Sequence, residues 1–242
     1  MQQRRPDIHV VIAAGILALV FVGSVGALVF MKSRRSAAPA GPAVIVQDEG
    51  GSSDPLTPDR RTSDLAIPPF SLSDQDGQTV TNNAFNGRLT IVDFFFTNCP
   101  FICPALTGEM SDLADRLAKT GVRFMSITVD PEHDTPERLK EYGAVHGADF
   151  SRWSFLTGSR EAIWALFAEK GGLQWGIEER AEQPIMLANG TRMNNIRHPG
   201  WFVLVGPKGE VLAIYKADIK EDMDKLEARA RAGDKNLAIG SK

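Results

Sequence analysis

The sequence predicts an α/β domain, a central mixed sheet with flanking helices, behind one N-terminal transmembrane helix. Three observations predict it. Thr90-Ile91-Val92-Asp93-Phe94-Phe95-Phe96 is a dense apolar run of buried-strand type, and it stands within an alternation of strand and helix signals. Gly206-Pro207-Lys208-Gly209 is a hairpin signal that sets two late strands antiparallel. Ile8 to Met31 carries no charge. As a helix it reaches roughly 36 Å at about 1.5 Å per residue, enough to cross a hydrocarbon core of about 30 Å with some tilt.

Residues 1–7 form a short N-terminal tail and 8–31 the anchor. Ala38-Pro39-Ala40 offers an A-x-A pattern downstream. The apolar run is nevertheless much longer than a secretory core of about 7–15 residues, so the anchor is read as uncleaved. Arg4 and Arg5 precede it, and Lys32, Arg34 and Arg35 follow, so charge alone leaves the topology neutral or slightly favours a cytoplasmic C-terminus. Residues 32–66 read as a Pro/Gly/Ser-rich linker mixing stiff and flexible regimes.

The folded domain is expected over 67–235, with 236–242 as a C-terminal tail. After the Thr90–Phe96 strand comes a helix with Leu106, Met110, Leu113 and Leu117 at 3–4 spacing. Val122–Val129 is a second strand. Thr135-Pro136-Glu137 opens a helix to about Tyr142, with proline in its favoured early position. Trp153–Leu156 is a short strand. Ser159 caps a helix through Ile163, Leu166 and Phe167 that ends near Gly171-Gly172. Trp201–Val205 and Glu210–Tyr215 flank the hairpin turn, and a final helix follows. Gln183–Asn195 reads as a loop insertion holding Met186 and Met193. Parallel strands joined by helices and closed by a hairpin make a thioredoxin-like sheet one candidate among several.

The chain of 242 residues is 43% hydrophobic and 24% charged, which is ordinary globular composition. Its net charge of −3 hides an asymmetry. Residues 1–35 hold five basic residues against Asp7, so the remainder holds 22 basic and 29 acidic residues, a net of −7. Without a basic excess, nucleic acid is not an expected partner. Two cysteines exclude both a disulfide-stapled scaffold and a four-cysteine zinc site.

Those two are Cys99 and Cys103, in Thr97-Asn98-Cys99-Pro100-Phe101-Ile102-Cys103-Pro104. They lie where a strand ends and a helix begins, a place where ligands gather in α/β sheets and where the helix dipole favours thiolates. Each precedes a proline, which disfavours helical backbone, so a loop should enter the helix at or just after Cys103. Such a loop can converge both sulfurs on a metal or close a disulfide. The plain alternative is two small buried hydrophobes.

These residues resemble the Sco/SenC family, the membrane-anchored, thioredoxin-fold copper chaperones of cytochrome c oxidase assembly. Thr97-Asn98-Cys99-Pro100 with Cys103-Pro104 matches the family's T-x-C-P-x-x-C-P, and Asp130-Pro131-Glu132-His133-Asp134-Thr135-Pro136 matches its D-P-x-x-D-T-P segment. His198 falls where the family histidine falls. The resemblance implies a copper site of Cys99, Cys103 and His198. It also implies delivery of copper to the oxidase subunit with the binuclear copper centre, other copper chaperones or thiol reductases as further partners, and a soluble domain on the periplasmic or intermembrane-space side. The donor chemistry agrees, since thiolates favour Cu(I) and imidazole suits copper. Three positions depart from the family pattern: Phe101 replaces a common aspartate, and Arg197 and Pro199 flank the histidine. Arg197 is expected to set a cation beside the site.

Asp93 interrupts the apolar strand six residues before Cys99, as an aspartate does ahead of the thioredoxin cysteine pair, and is a candidate for tuning the thiols. Asp130 and Asp134 are candidates for a carboxylate pair near the site or for turn and cap chemistry. His133 reads as an exposed turn residue and His146 as a charge partner at a helix end. Two rival functions remain. One is a tethered thiol-disulfide oxidoreductase using the same cysteines as a redox pair. The other, weaker, is a thioredoxin-fold peroxidase.

Overall fold

A computed structural model describes residues 54–100 and 102–240. The expected anchor at 8–31, most of the linker and Phe101 lie outside the described residues. Among the described residues no helix is long and apolar enough to cross a membrane.

Among the described residues, nine strands and four α-helices follow one another. The first hairpin is β1 (Ser71–Ser73) with β2 (Thr79–Thr81). Then come β3 (Thr90–Phe95), α1 (Cys103–Arg116), β4 (Arg123–Thr128), α2 (Pro136–Val145), β5 (Trp153–Leu156) and α3 (Arg160–Ala165). They are followed by β6 (Glu178–Met186), β7 (Arg192–Arg197), β8 (Trp201–Val205), β9 (Val211–Lys216) and α4 (Lys220–Gly240). The central sheet has the order β5-β4-β3-β8-β9. β3, β4 and β5 run parallel, and β8 and β9 antiparallel.

β3 is the middle strand, and all six of its residues are buried. That burial on both faces is why its sequence reads as a continuous apolar run rather than an alternation. Phe94 packs on Phe167 and Trp175, and Phe95 on Tyr142 and Phe155. Each such ring contributes about 1.5–3 kcal/mol when fully buried. The predicted apolar face of α1 is present, with Leu106, Met110, Leu113 and the following Leu117 all buried.

Four boundaries differ from the sequence reading. Residues 54–66, assigned to the linker, pack on the domain. The Arg229 guanidinium donates to Asp59 Oδ1 (2.7 Å), the Pro55 carbonyl (3.1 Å) and the Thr57 carbonyl (2.6 Å), and buried Thr62 donates to the Leu212 carbonyl (3.0 Å). The helix after Ser159 stops at Ala165, although Ser159 does cap it by accepting from the Ala162 amide (3.1 Å). The supposed tail past 235 continues α4 to Gly240. Gln183–Asn195 is no loop but most of the β6–β7 hairpin, with Ile185 opposite Met193 and Met186 opposite Arg192. Met193 is buried there and Met186 exposed.

Candidate metal and thiol site

Cys99 follows the end of β3, and Cys103 is the first residue of α1. As the paired prolines require, a loop enters the helix. Ile102 stands at the cap with no side-chain cap bond, and Pro104 occupies the first turn, where its missing N–H costs nothing. Both cysteines are buried thiols that are not joined in a disulfide. The helix start and the β7–β8 connection meet here, so that Cys103 Sγ lies 3.6 Å from His198 Nε2, across 95 residues of chain.

His198 is set by its neighbours. Its Nδ1 faces the Pro199 carbonyl at 3.2 Å, a geometry that assigns the proton to Nδ1 and leaves Nε2 with a free lone pair towards the sulfur. Phe96 stands edge-on to the ring at 5.9 Å. Burial pushes the imidazole down to about 4, so the ring is neutral at pH 7. Gly200 lets the connection come close, because a Cβ there would lie 2.8 Å from Ile102 Cδ1.

Cys103 is held protonated, well above the usual thiol range. Its hydrogen bond with Cys99 is the largest cause and burial the next, while the Cys99 and Asp93 charges add and a Phe96 backbone group opposes. Cys103 thus makes one contact with Cys99 and another with His198. Among the described residues no three His, Cys, Asp or Glu side chains form a ready-made metal cage. The arrangement is two pair contacts sharing one sulfur. Two thiols and a bare imidazole nitrogen suit a soft cation, whose binding must displace the thiol protons. The same two thiols, in mutual contact, are placed for disulfide chemistry.

Asp93 lies in β3 opposite Ser126 of β4, fully buried, and neither carboxyl oxygen has a hydrogen bond of normal geometry. The Ser126 hydroxyl oxygen accepts instead from Trp153 Nε1 (2.9 Å). Burial raises the Asp93 carboxyl to about 7, with Ser126 opposing. Its charge reaches Cys103.

Asp130 and Asp134 do not pair as two carboxylates on the thiols. Asp130 faces His133 Nδ1 with both oxygens at 2.9 Å, so His133 is a partnered residue rather than a free turn residue. Asp134, fully buried, accepts from the Thr97 amide (3.1 Å), the Thr97 hydroxyl (2.5 Å) and the Thr128 hydroxyl (2.5 Å). It fastens the D-P-x-x-D-T-P turn to the residues just before Cys99. Arg138 completes this clamp, donating to Thr97 Oγ1 (2.6 Å) and Asn98 Oδ1 (2.9 Å). Sequence reasoning missed Arg138, although its place one turn beyond the Thr135 cap, in the segment bearing Asp134, was a signal.

Arg197 is not a cation against the site. As the last residue of β7 it is exposed, and its guanidinium meets Glu178 at 3.0 Å across the hairpin. His146 is no charge partner either. Its ring lies tilted against Tyr142 (centroids 4.4 Å apart), and burial lowers its pKa. Tyr142, also missed, exchanges a hydrogen bond with Thr107 at 2.8 Å. Burial first, and then the cysteine and Asp93 charges, raise its phenol. Trp201 lies just beyond His198 and packs edge-on against Trp175 at 4.9 Å.

Comparison with known proteins assigns the chain's family and fold. The SCO1/SenC family profile matches residues 58–231. The SCO1 protein homolog of Bacillus subtilis is 35% identical over 151 residues, which is 62% of this chain and 72% of that protein. ScoI of Arabidopsis thaliana, solved with copper bound, superposes with a TM-score of 0.56 at 26% identity, covering 69% of this chain and 99% of that one. BsSco, described as a member of the Sco family of cytochrome c oxidase assembly proteins in which a disulfide switch was identified, superposes with a TM-score of 0.56 at 32% identity, covering 71% of this chain and 95% of its own. The mixed sheet with its flanking helices is the thioredoxin-like fold that these structures share. By its sequence match and its fold, this chain belongs to the SCO1/SenC family.

Proposed function

We propose that this chain is a membrane-tethered copper metallochaperone that serves the binuclear copper centre of cytochrome c oxidase. Copper is its cargo, held by Cys99, Cys103 and His198. The observation that carries this reading is the 3.6 Å approach of His198 Nε2 to Cys103 Sγ, with Nδ1 occupied by the Pro199 carbonyl. That places an imidazole lone pair at the thiol pair. A neutral histidine needs no deprotonation to ligate, so the thiols alone release protons on binding. Two thiolates and one imidazole give a soft, three-coordinate set fitted to Cu(I) and short of a closed zinc tetrahedron. An incompletely gathered set also suits a carrier that must release its metal.

The uncharged 8–31 segment supports an anchor, and the family supports a domain on the periplasmic or intermembrane-space side, with the oxidase copper subunit and copper or thiol-handling proteins as partners. The decisive experiment titrates the reduced full chain, in detergent, with Cu(I) and Cu(II). Stoichiometric binding that is lost in Cys99→Ser and weakened in His198→Ala supports the reading. Absence of binding overturns it. A C-terminal reporter active only in the cytoplasm would refute the placement.

A second reading is a thiol-disulfide oxidoreductase, favoured by two thiols in mutual contact beside buried Asp93. One thiolate attacks a partner disulfide and the other resolves the mixed disulfide. The partner leaves as a dithiol, and Cys99–Cys103 is oxidised by the same two electrons. Efficient reduction of a test disulfide without copper binding would favour it.

A further inference from the structure

We infer that the cleft bounded by Arg88, Arg123 and Arg152 is a binding site for a phosphate-type oxyanion. The cleft has a volume of about 360 Å³ and lies at the pole of the sheet opposite the cysteines. Arg88 precedes β3 and Arg123 opens β4, whereas Cys99 follows the far end of β3. A six-residue strand separates the two sites by about 20 Å at 3.3 Å per residue.

Three guanidiniums share this small space in a soluble body that is otherwise acidic. Two are fixed in place. Arg152 lies over the Phe124 ring at 5.5 Å and donates through Nη2 to the Leu117 and Val122 carbonyls (3.0 and 3.2 Å). Its Nε is buried with no hydrogen-bond partner. Arg123 donates to the Ser151 carbonyl. Arg88 is exposed, and among the described residues its guanidinium has no ion pair or hydrogen bond.

The local acids offset only part of the cluster's charge, two carboxylates against three guanidiniums. Asp234, which lines the cleft, accepts from the Gly121 amide at 2.9 Å. Asp149 attracts Arg123 and Arg152, but its Oδ1 is engaged by the Ser151 amide (3.0 Å) and hydroxyl (2.7 Å). Burial first, and then the Arg88 and Arg152 charges, depress Arg123. Like charges held together by the fold are destabilising until an anion joins them. Guanidinium forks match the paired oxygens of a phosphate.

The helix that carries Asp234 also packs close to Leu56 and Leu89. A Cβ at Gly233, next to Asp234, would meet Leu89 Cδ1 at 2.7 Å and Leu56 Cδ2 at 3.1 Å. A phosphate presented by a lipid headgroup and a free phosphate compound carry the same chemistry here.

The test uses the full chain in nonionic detergent. It is titrated by calorimetry with pyrophosphate and, separately, with short-chain phosphatidic acid, with short-chain phosphatidylcholine as control. Saturable binding of one anion per chain is expected. Loss of one charge-assisted contact in Arg88→Gln or Arg123→Gln should weaken it at least about tenfold, with copper stoichiometry and circular dichroism unchanged. Binding of pyrophosphate alone identifies a free anion, and binding of phosphatidic acid but not phosphatidylcholine identifies a headgroup. No saturable binding of either, or equal binding by wild type and both variants, overturns the inference.

Discussion

His198 Nε2 and Cys103 Sγ approach to 3.6 Å, and the Pro199 carbonyl selects the tautomer that makes this possible. Removing the imidazole leaves a two-sulfur site. His198→Ala should therefore lower Cu(I) affinity by at least about 10- to 100-fold, the range that even an outer partner of a metal site can command. Cys103→Ser should abolish tight binding, because it breaks both pair contacts at once. Competition with a coloured Cu(I) chelator measures both. Unchanged affinity in His198→Ala would remove the histidine from the site.

Buried Asp93 and half-buried His198 give stability opposite dependences on pH. Folded Asp93 keeps its proton to about 7, whereas the unfolded chain loses it near 3.8. Its contribution is fully present below about 3.8 and is lost as pH rises through 7. Folded His198 accepts a proton only near 4, against 6.5 when unfolded, so its contribution is present above 6.5 and lost as pH falls through 4. Asp93→Asn should stabilise the protein at pH 8 by up to about 4 kcal/mol and have little effect at pH 4. Urea unfolding across that range checks the sign. If the variant also left the thiol-disulfide exchange rate unchanged, Asp93 would have no part in tuning the cysteines.

The parts legible in the sequence were those whose signal is local. β3 showed itself because a central strand must be apolar on both faces, and α1 because Leu106, Met110 and Leu113 share one side of a helix. The β6–β7 hairpin stayed hidden because most of its residues face solvent. It is held by cross-strand pairing and by ion pairs such as Glu178 with Arg197, which no alternation of apolar residues announces. The same alternation of strand faces turned Arg197 away from His198. The cysteines and His198 were legible as a family pattern. The Arg138 clamp was not, because it joins residues 41 apart in sequence.

That clamp is testable through Asp134. Asp134→Ala would strip acceptors from the Thr97 amide and hydroxyl and from the Thr128 hydroxyl, leaving buried donors unsatisfied. At about 1–3 kcal/mol for a buried orphan, a loss of about 2–4 kcal/mol is expected. Arg138→Ala should cost less than about 1 kcal/mol, because its side chain is largely exposed. It should nevertheless shift the Cys99–Cys103 reduction potential, since it frees Asn98 beside Cys99. Thermal unfolding and a glutathione redox titration separate the two effects.

Gly200 offers the sharpest test of how closely the two halves of the site must meet. A methyl group there would stand 2.8 Å from Ile102 Cδ1 and 3.4 Å from Leu106 Cδ2. Both are ends of flexible side chains, so Gly200→Ala should destabilise the fold by only about 1–2 kcal/mol. The strain falls between Ile102, the cap residue before Cys103, and the connection that carries His198. The histidine and the sulfur should therefore separate, and Cu(I) affinity should fall more than stability does. Adding Ile102→Ala removes the obstructing methyl. If the close approach is what the glycine serves, the double variant recovers most of the copper affinity. If affinity stays low in the double variant, the glycine acts through backbone freedom instead.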